Sequence, residues 1–200
     1  MLGGLWSLPT GQITLPTAAK GKSALYVVPQ KPLILTAAVS LRELVTYPII
    51  LDQTEWEAAE PGITRDLHTL RVGEPVQREG WDKQKSWHQL LSLGELQSLA
   101  IVRLLFHQPR LAILDDCLSG VGNDIIATVY RLFDERSIRV ITCAQSLPAA
   151  AVRYHGRELR LGQSTDSGWS EHTIYTVSPD DTCNEEEPAA GAAQAWTEVD

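Results

Sequence analysis

Leu91-Ser92-Leu93-Gly94-Glu95-Leu96-Gln97, followed sixteen positions beyond Gln97 by Ile113-Leu114-Asp115-Asp116, is the most informative part of the chain. Ser92 is a strong helix N-cap, and Glu95 stands three residues on, at capping-box spacing. Leu96, Leu99, Ala100, Arg103 and Leu104 then recur on one helical stripe, apolar except for the arginine. Pro109 stops that helix. Leu111-Ala112-Ile113-Leu114 is an all-apolar run that ends in two acids, the pattern of a central parallel strand with Asp115 and Asp116 at its C-terminal end. Beyond it, Ile125 to Glu135 predicts a helix and Ile138-Arg139-Val140-Ile141-Thr142 a strand. Helix, strand, helix, strand between residues 92 and 142 predicts an α/β fold built on a parallel sheet.

Toward the N-terminus, Leu25-Tyr26-Val27-Val28 is β-rich and ends at Pro29, which predicts a buried strand. Gly11-Gln12-Ile13-Thr14-Leu15 predicts a short one. Ser40-Leu41-Arg42-Glu43-Leu44 predicts a short helix opening at a serine cap and ending before Pro48. Residues 49–90 have the weakest periodicity. Pro61-Gly62, Gly73, Pro75 and Gly80 punctuate them, so short helices and loops are expected, with Trp56, Trp81 and Trp87 as core or interface anchors. Toward the C-terminus, Ser146 to Tyr154 predicts a helix, and Glu158-Leu159-Arg160-Leu161 and His172 to Val177 predict closing strands.

Composition limits the function classes. The 200 residues are 44% hydrophobic and 21% charged, ordinary globular usage for one domain and a tail. No apolar run approaches the roughly 18 residues of a membrane span; Arg103 breaks the best candidate, Leu99 to Phe106. Met1 to Thr10 carry no positive region of a signal peptide. Three cysteines, Cys117, Cys143 and Cys183, lack metal-ligand spacing and fit a reducing compartment, and Cys143 is expected to be a small buried side chain. The five histidines show no i, i+4 pairing, so zinc has little support. The net charge of −8 is uneven. Residues 177–200 hold seven acids and no base, leaving 18 acids against 17 bases in residues 1–176. That tail is too poor in large apolar groups to offset its ordering entropy and is expected to be disordered. No basic patch stands out, which argues against a nucleic-acid partner.

A serine and a glycine at a helix N-terminus offer backbone N–H groups and a hydroxyl to a phosphate, aided by the helix dipole. Acids at the end of a buried strand sit where open α/β sheets bind nucleotides. One can hold Mg²⁺, and its neighbour can orient a water toward a γ-phosphate. Taken singly, the first feature is equally a plain capped helix and the second an acid-rich turn. Together, in this order and spacing, they point to a nucleotide site. An unrelated α/β hydrolase or receiver-like domain is a weaker alternative, since no nucleophile elbow is present.

At these residues the sequence resembles the nucleotide-binding domain of an ATP-binding-cassette (ABC) transporter. Within that family it resembles subfamily D, the peroxisomal fatty-acyl half-transporters and their lysosomal cobalamin-exporting relative. Leu2-Gly3-Gly4-Leu5-Trp6 resembles the stretch after the phosphate-loop helix. Tyr26-Val27-Val28-Pro29-Gln30-Lys31-Pro32 resembles the Q-loop, and Ser40-Leu41-Arg42-Glu43 with Tyr47-Pro48 the segment downstream of it. Ser92 to Gln97 matches the signature motif, and Leu111 to Asp116 matches Walker B. The resemblance covers roughly residues 2–161. It implies an α/β P-loop NTPase domain with a helical subdomain over residues 31–98 and the Walker B half over 99–176, ahead of the acidic tail 177–200. The phosphate-loop strand and helix are missing, as in an N-terminally truncated chain. Gly21-Lys22-Ser23 does not replace the loop, because Pro16 stands where G-x-x-x-x-G-K-[ST] needs glycine.

The implied activity is ATP hydrolysis coupled to transport of a lipid or cobalamin-like substrate, with ATP and Mg²⁺ as cofactors. Asp115 and Gln30 are then metal contacts. Gln30, Ser92, Gly94, Glu95 and Gln97 are nucleotide contacts, Asp116 occupies the catalytic-glutamate position and Cys143 the switch-histidine position. The implied partners are a second nucleotide-binding domain and the parent's transmembrane domain, at the cytosolic face of a peroxisomal or lysosomal membrane. Three departures weaken catalysis: Leu93 replaces the first signature glycine, Asp116 is one methylene short, and the Cys143 thiol is a weak donor. The Ser119-Gly120-Val121-Gly122 segment is also unusually rich in glycine. These departures favour a competing expectation, a non-enzymatic degenerate domain that docks on a complete partner.

Overall fold

The computed structural model describes residues 17, 24–32, 38–161 and 169–173. The Leu2 to Trp6 segment, the expected strand at Gly11 to Leu15, Gly21-Lys22-Ser23 and the acidic tail lie outside the described residues. The chain divides into two compact units, Met1–Leu147 and Pro148–Asp200.

The first unit opens with β1 (Leu25–Val28) and α1 (Leu41–Thr46). The α1 N-terminus is set by Ser40 and Glu43, which satisfy each other's backbone N–H groups reciprocally. Next comes α2 (Gln53–Thr69), opened by an equivalent Asp52–Glu55 box. The turn signal at Pro61-Gly62 does not end it: where short helices and loops were expected, one 17-residue helix runs through. A proline and a glycine inside a helix cost roughly 3 and 1 kcal/mol. Trp56, Ile63 and Leu67 on one face are 2%, 3% and 1% exposed, and that burial, at about 1.5–3 kcal/mol per side chain, outweighs the local cost.

Two short helices follow, α3 (Glu74–Glu79) and α4 (Trp87–Leu90). Trp87 is fully buried and its indole N–H donates to the Val39 carbonyl at 2.8 Å. Val39 also bridges to Lys85 in antiparallel fashion. Trp56 meets Trp81 edge-on at 4.9 Å, so these tryptophans are packing anchors, as expected.

The long helix α5 (Leu93–His107) packs against α1, α2 and β1. The stripe read from sequence is too narrow: Ile101, Val102 and Leu105 are buried as well, while Leu96 and Ala100 are only half-buried. A helix enclosed on several sides loses the one-face pattern. Its arginine turns inward. Arg103 is 7% exposed and donates to the Leu44 carbonyl of α1 at 2.7 Å. Beside it, the His107 ring stacks on Tyr26 of β1 and its Nε2 donates to the Tyr47 carbonyl at 2.9 Å. Burial lowers the His107 pKa, so the ring is neutral at pH 7. Gln108 closes α5 in the left-handed conformation (φ 44°), one residue before Pro109.

Then come β2 (Leu111–Asp115), α6 (Asn123–Glu135) and β3 (Arg139–Cys143). The sheet order is β1-β2-β3 with both pairings parallel, so β2 is central, as its apolar run predicted. The Leu25–Val28 strand forms, but only Val28 is buried and Val27 is 40% exposed; in the described sheet β1 is an edge. The α6 helix is tied to β3 by a 2.8 Å hydrogen bond between the Tyr130 and Thr142 hydroxyls.

The second unit holds α7 (Ala149–Val152) and an antiparallel pair, β4 (Arg157–Leu161) and β5 (Trp169–Thr173). The expected helix over residues 146–154 is a single turn, Ala149–Val152, and Pro148 at its N-cap leaves residues 146–148 outside it. The last strand begins three residues earlier than the His172 to Val177 run predicted, and residues 174–177 lie outside the described residues. Among the described residues, no helix is long and apolar enough to cross a membrane.

Candidate functional site

Three segments carry the candidate groups, and the fold brings them together at one end of the first unit. Gln30 follows β1, Asp115 and Asp116 end β2, and Ser92 to Gln97 open α5. In a parallel sheet the C-terminal ends of neighbouring strands share one edge, and loops leaving them can meet.

Gln30 and Asp116 touch. The Gln30 side-chain amide donates to the Asp116 carboxylate at 2.7 Å. Asp116 holds a left-handed backbone conformation (φ 47°), uncommon for a non-glycine residue, and its N–H donates to the Cys143 carbonyl at 2.8 Å. Asp115 is in register with Cys143 across the β2–β3 pair and its side chain is exposed. The Cys143 side chain is exposed too, where a buried small residue was expected. It stands at the last position of β3, an edge strand of the described sheet. Desolvation of its sulfur, then the negative charge of Asp115, raises the thiol pKa and keeps it protonated. Cys117, buried one residue beyond Asp116, is pushed up to about 12 and is inert.

At α5 the Ser92 N–H and hydroxyl both donate to the Glu95 carboxylate, at 2.8 and 2.7 Å, and the Glu95 N–H returns to Ser92 Oγ at 3.3 Å. The boxes at Ser40 and Asp52 have the same geometry, so capping alone does not single out Ser92. What sets this helix start apart is the loop pressed against it. A Cβ on Gly94 would collide with the Gly120 carbonyl oxygen, so only glycine permits the approach. Leu93, by contrast, is 52% exposed.

Gln97 does not face outward. It is fully buried, and its amide bonds only to other parts of the chain. Ser119 and Gly120, which hold it, stand out in the sequence only for the glycine content of their segment; no local signal names their partner. Sequence reasoning also missed Asp66 on α2, which pairs with Arg136 just past α6.

Among the described residues, no group of three or more His, Cys, Asp or Glu is arranged as a metal cage. Mg²⁺ needs no such cage, because it takes one or two carboxylates plus phosphate oxygens and waters. Exposed Asp115, half-buried Asp116 and Gln30 are hard oxygen donors on adjoining segments, and they fit that requirement.

Gly94→Ala should destabilise the protein by about 1–3 kcal/mol, because the added methyl must push α5 off the 118–122 loop. Gly62→Ala, with nothing within 4 Å of its would-be Cβ and helical backbone around it, should instead stabilise by roughly 0.4–1 kcal/mol. Urea unfolding of the two variants checks both signs.

No family model matches the chain. It is 30% identical over 183 residues to the ABC transporter D family member 1 of Arabidopsis thaliana, covering 80% of this chain and 13% of that protein. It is 35% identical over 132 residues to human ATP-binding cassette sub-family D member 3, covering 65% of this chain and 19% of that protein. To the human lysosomal cobalamin transporter ABCD4 it is 31% identical over 167 residues, covering 80% of this chain and 26% of that protein. The chain thus spans about a quarter or less of these curated relatives. Among solved structures, a bacterial Atm1-family ABC exporter with ATP bound matches with a TM-score of 0.53 at 19% identity, over 67% of this chain and 23% of that one. The fold is therefore the mixed α/β architecture of an ABC nucleotide-binding domain, with its helical subdomain.

Proposed function

We propose that this chain, which is related to the nucleotide-binding domains of D-family ABC transporters, is the ATP-binding part of a half-transporter that moves a long-chain or very-long-chain fatty acyl lipid or a cobalamin-like substrate. The observation that carries the reading is the Gln30–Asp116 hydrogen bond, which joins residues 86 positions apart. Two segments matched separately to nucleotide motifs thereby meet at one sheet edge.

In this reading Asp115 and Gln30 hold Mg²⁺, which when bound neutralises charge on the phosphate oxygens. Asp116 orients the attacking water and accepts its proton. The α5 N-terminus presents Ser92, Gly94 and Glu95 to a nucleotide held by a second domain, where the helix dipole favours the phosphate charge. The sequence contains no G-x-x-x-x-G-K-[ST] motif. The partners are a second nucleotide-binding domain and a transmembrane domain, at the cytosolic face of a peroxisomal or lysosomal membrane. Gln97, buried and fully engaged, acts behind the contact surface.

A second reading, a non-enzymatic domain docking on a complete partner, is favoured by two positions: Asp116 carries its carboxylate one methylene short of glutamate, and the neutral Cys143 thiol is a weak donor where the family has histidine.

The test mixes the chain with a complete D-family nucleotide-binding domain. Sedimentation should show association that requires MgATP and is lost in Ser92→Arg; absence of any ATP-dependent association overturns the reading. Phosphate release by the chain joined behind the phosphate-loop segment of a close relative separates the two versions. A gain approaching a hundredfold in the Asp116→Glu, Cys143→His double variant marks the natural chain as catalytically degenerate. High release from the unaltered chain marks it as an active half-site.

A further inference from the structure

Gln97 lies at the meeting point of all three candidate segments. Its Nε2 donates to the Gln30 carbonyl at 3.3 Å and to Ser119 Oγ at 3.2 Å, and its Oε1 accepts from the Gly120 N–H at 2.8 Å. Two acceptors face one end of the amide and a donor faces the other, so only one orientation satisfies the site. The side chain is 0% exposed, so no water can replace a lost bond. Gly120, held by Gln97, is the residue whose carbonyl sits against Gly94, and a Cβ on Gly120 would lie 3.0 Å from Gln97 Oε1. Gln30, held through its carbonyl, grips Asp116 with its side chain. Asp116, Gln30, Gln97, Gly120 and Gly94 thus form a continuous chain of contacts.

We propose that Gln97 is a positioning residue that couples the Gln30–Asp116 pair to the start of α5 through Ser119 and Gly120. A displacement of Gln30 by a bound phosphate-bearing ligand then moves Gly94 and Ser92. The coupling rests on the nucleotide reading only for the identity of that ligand. The amide bridge transmits because it is short, buried and closed, whereas an apolar side chain of equal length fills the space without linking the segments' directions.

The test is amide hydrogen exchange of the whole chain, without nucleotide, with β2 and α6 as internal references for global stability. Gln97→Met keeps the length and packing and removes the amide. It should speed exchange at Gly120 and over residues 29–32 by about tenfold beyond any change in the references. Gln30→Ala, an exposed change with little risk to folding, should raise exchange at residues 92–95 in the natural background and leave them unmoved in the Gln97→Met background. Exchange that rises uniformly, or a Gln30→Ala effect that persists without the Gln97 amide, overturns the coupling. A final arm adds MgATP and the complete partner domain. If the local pattern holds and MgATP protects nothing, the nucleotide reading fails and the coupling stands. If MgATP protects the site but the variants loosen uniformly, the coupling fails and the nucleotide reading stands.

Discussion

Arg136→Ala should lower the free energy of unfolding by about 3–5 kcal/mol, the cost of leaving a buried carboxylate without its partner. Arg136 caps the end of α6, and both of its terminal nitrogens bond the Asp66 carboxylate of α2, one to Oδ1 and the other to Oδ2 at 2.9 Å. Its Nη1 also donates to the Leu105 carbonyl near the end of α5, at 3.3 Å. Asp66 is only 4% exposed, so water cannot take the place of the guanidinium. One side chain therefore ties three helices. The paired variant Asp66→Leu, Arg136→Met should recover most of the loss, because well-packed apolar groups often match a buried ion pair. Urea unfolding of both variants measures this. A single-variant cost below about 1 kcal/mol would mean that the pair behaves like an exposed one.

Trp56→Ala should cost about 3–5 kcal/mol and remove helix as well as stability. Trp56 is 2% exposed, edge-on to Trp81, with the Arg42 guanidinium 4.5 Å above its ring. It lies in the N-terminal part of α2, ahead of Pro61, while Ile63 and Leu67 anchor the part beyond. Proline removes one backbone hydrogen bond and strains the preceding turn, so the first turns of α2 depend on their own anchor. Truncating the indole should therefore release residues 53–60, visible as a loss of far-UV helical signal in the folded baseline. An unchanged baseline with a cost under about 1.5 kcal/mol would show that α2 holds as a single unit despite Pro61.

Physically, the two effects share a cause that also separates legible features from hidden ones. Local chemistry was readable. Ser40, Ser92 and Pro109 act on groups within four residues of themselves, so their spacing identifies the helix ends they set. The Leu111 to Asp116 run identifies a central strand because burial on both faces leaves no polar alternation. By the same logic the local breaker at Pro61-Gly62 misled, since its cost is local while the compensation comes from Trp56, Ile63 and Leu67 packing in the tertiary fold.

Residue order is enough for the α/β class, the parallel strands of the described sheet, the capped start of α5 and the acids at the end of β2. The partners come from packing between elements. It set Gln30 on Asp116, Gln97 on Ser119 and Gly120, Arg103 on Leu44, and Asp66 on Arg136. Periodicity shows which face a residue occupies but is silent on what lies opposite it. These contacts span from 22 to 86 positions, and such pairs are fixed by how whole elements pack, with each buried donor obliged to find an acceptor where the packing puts one.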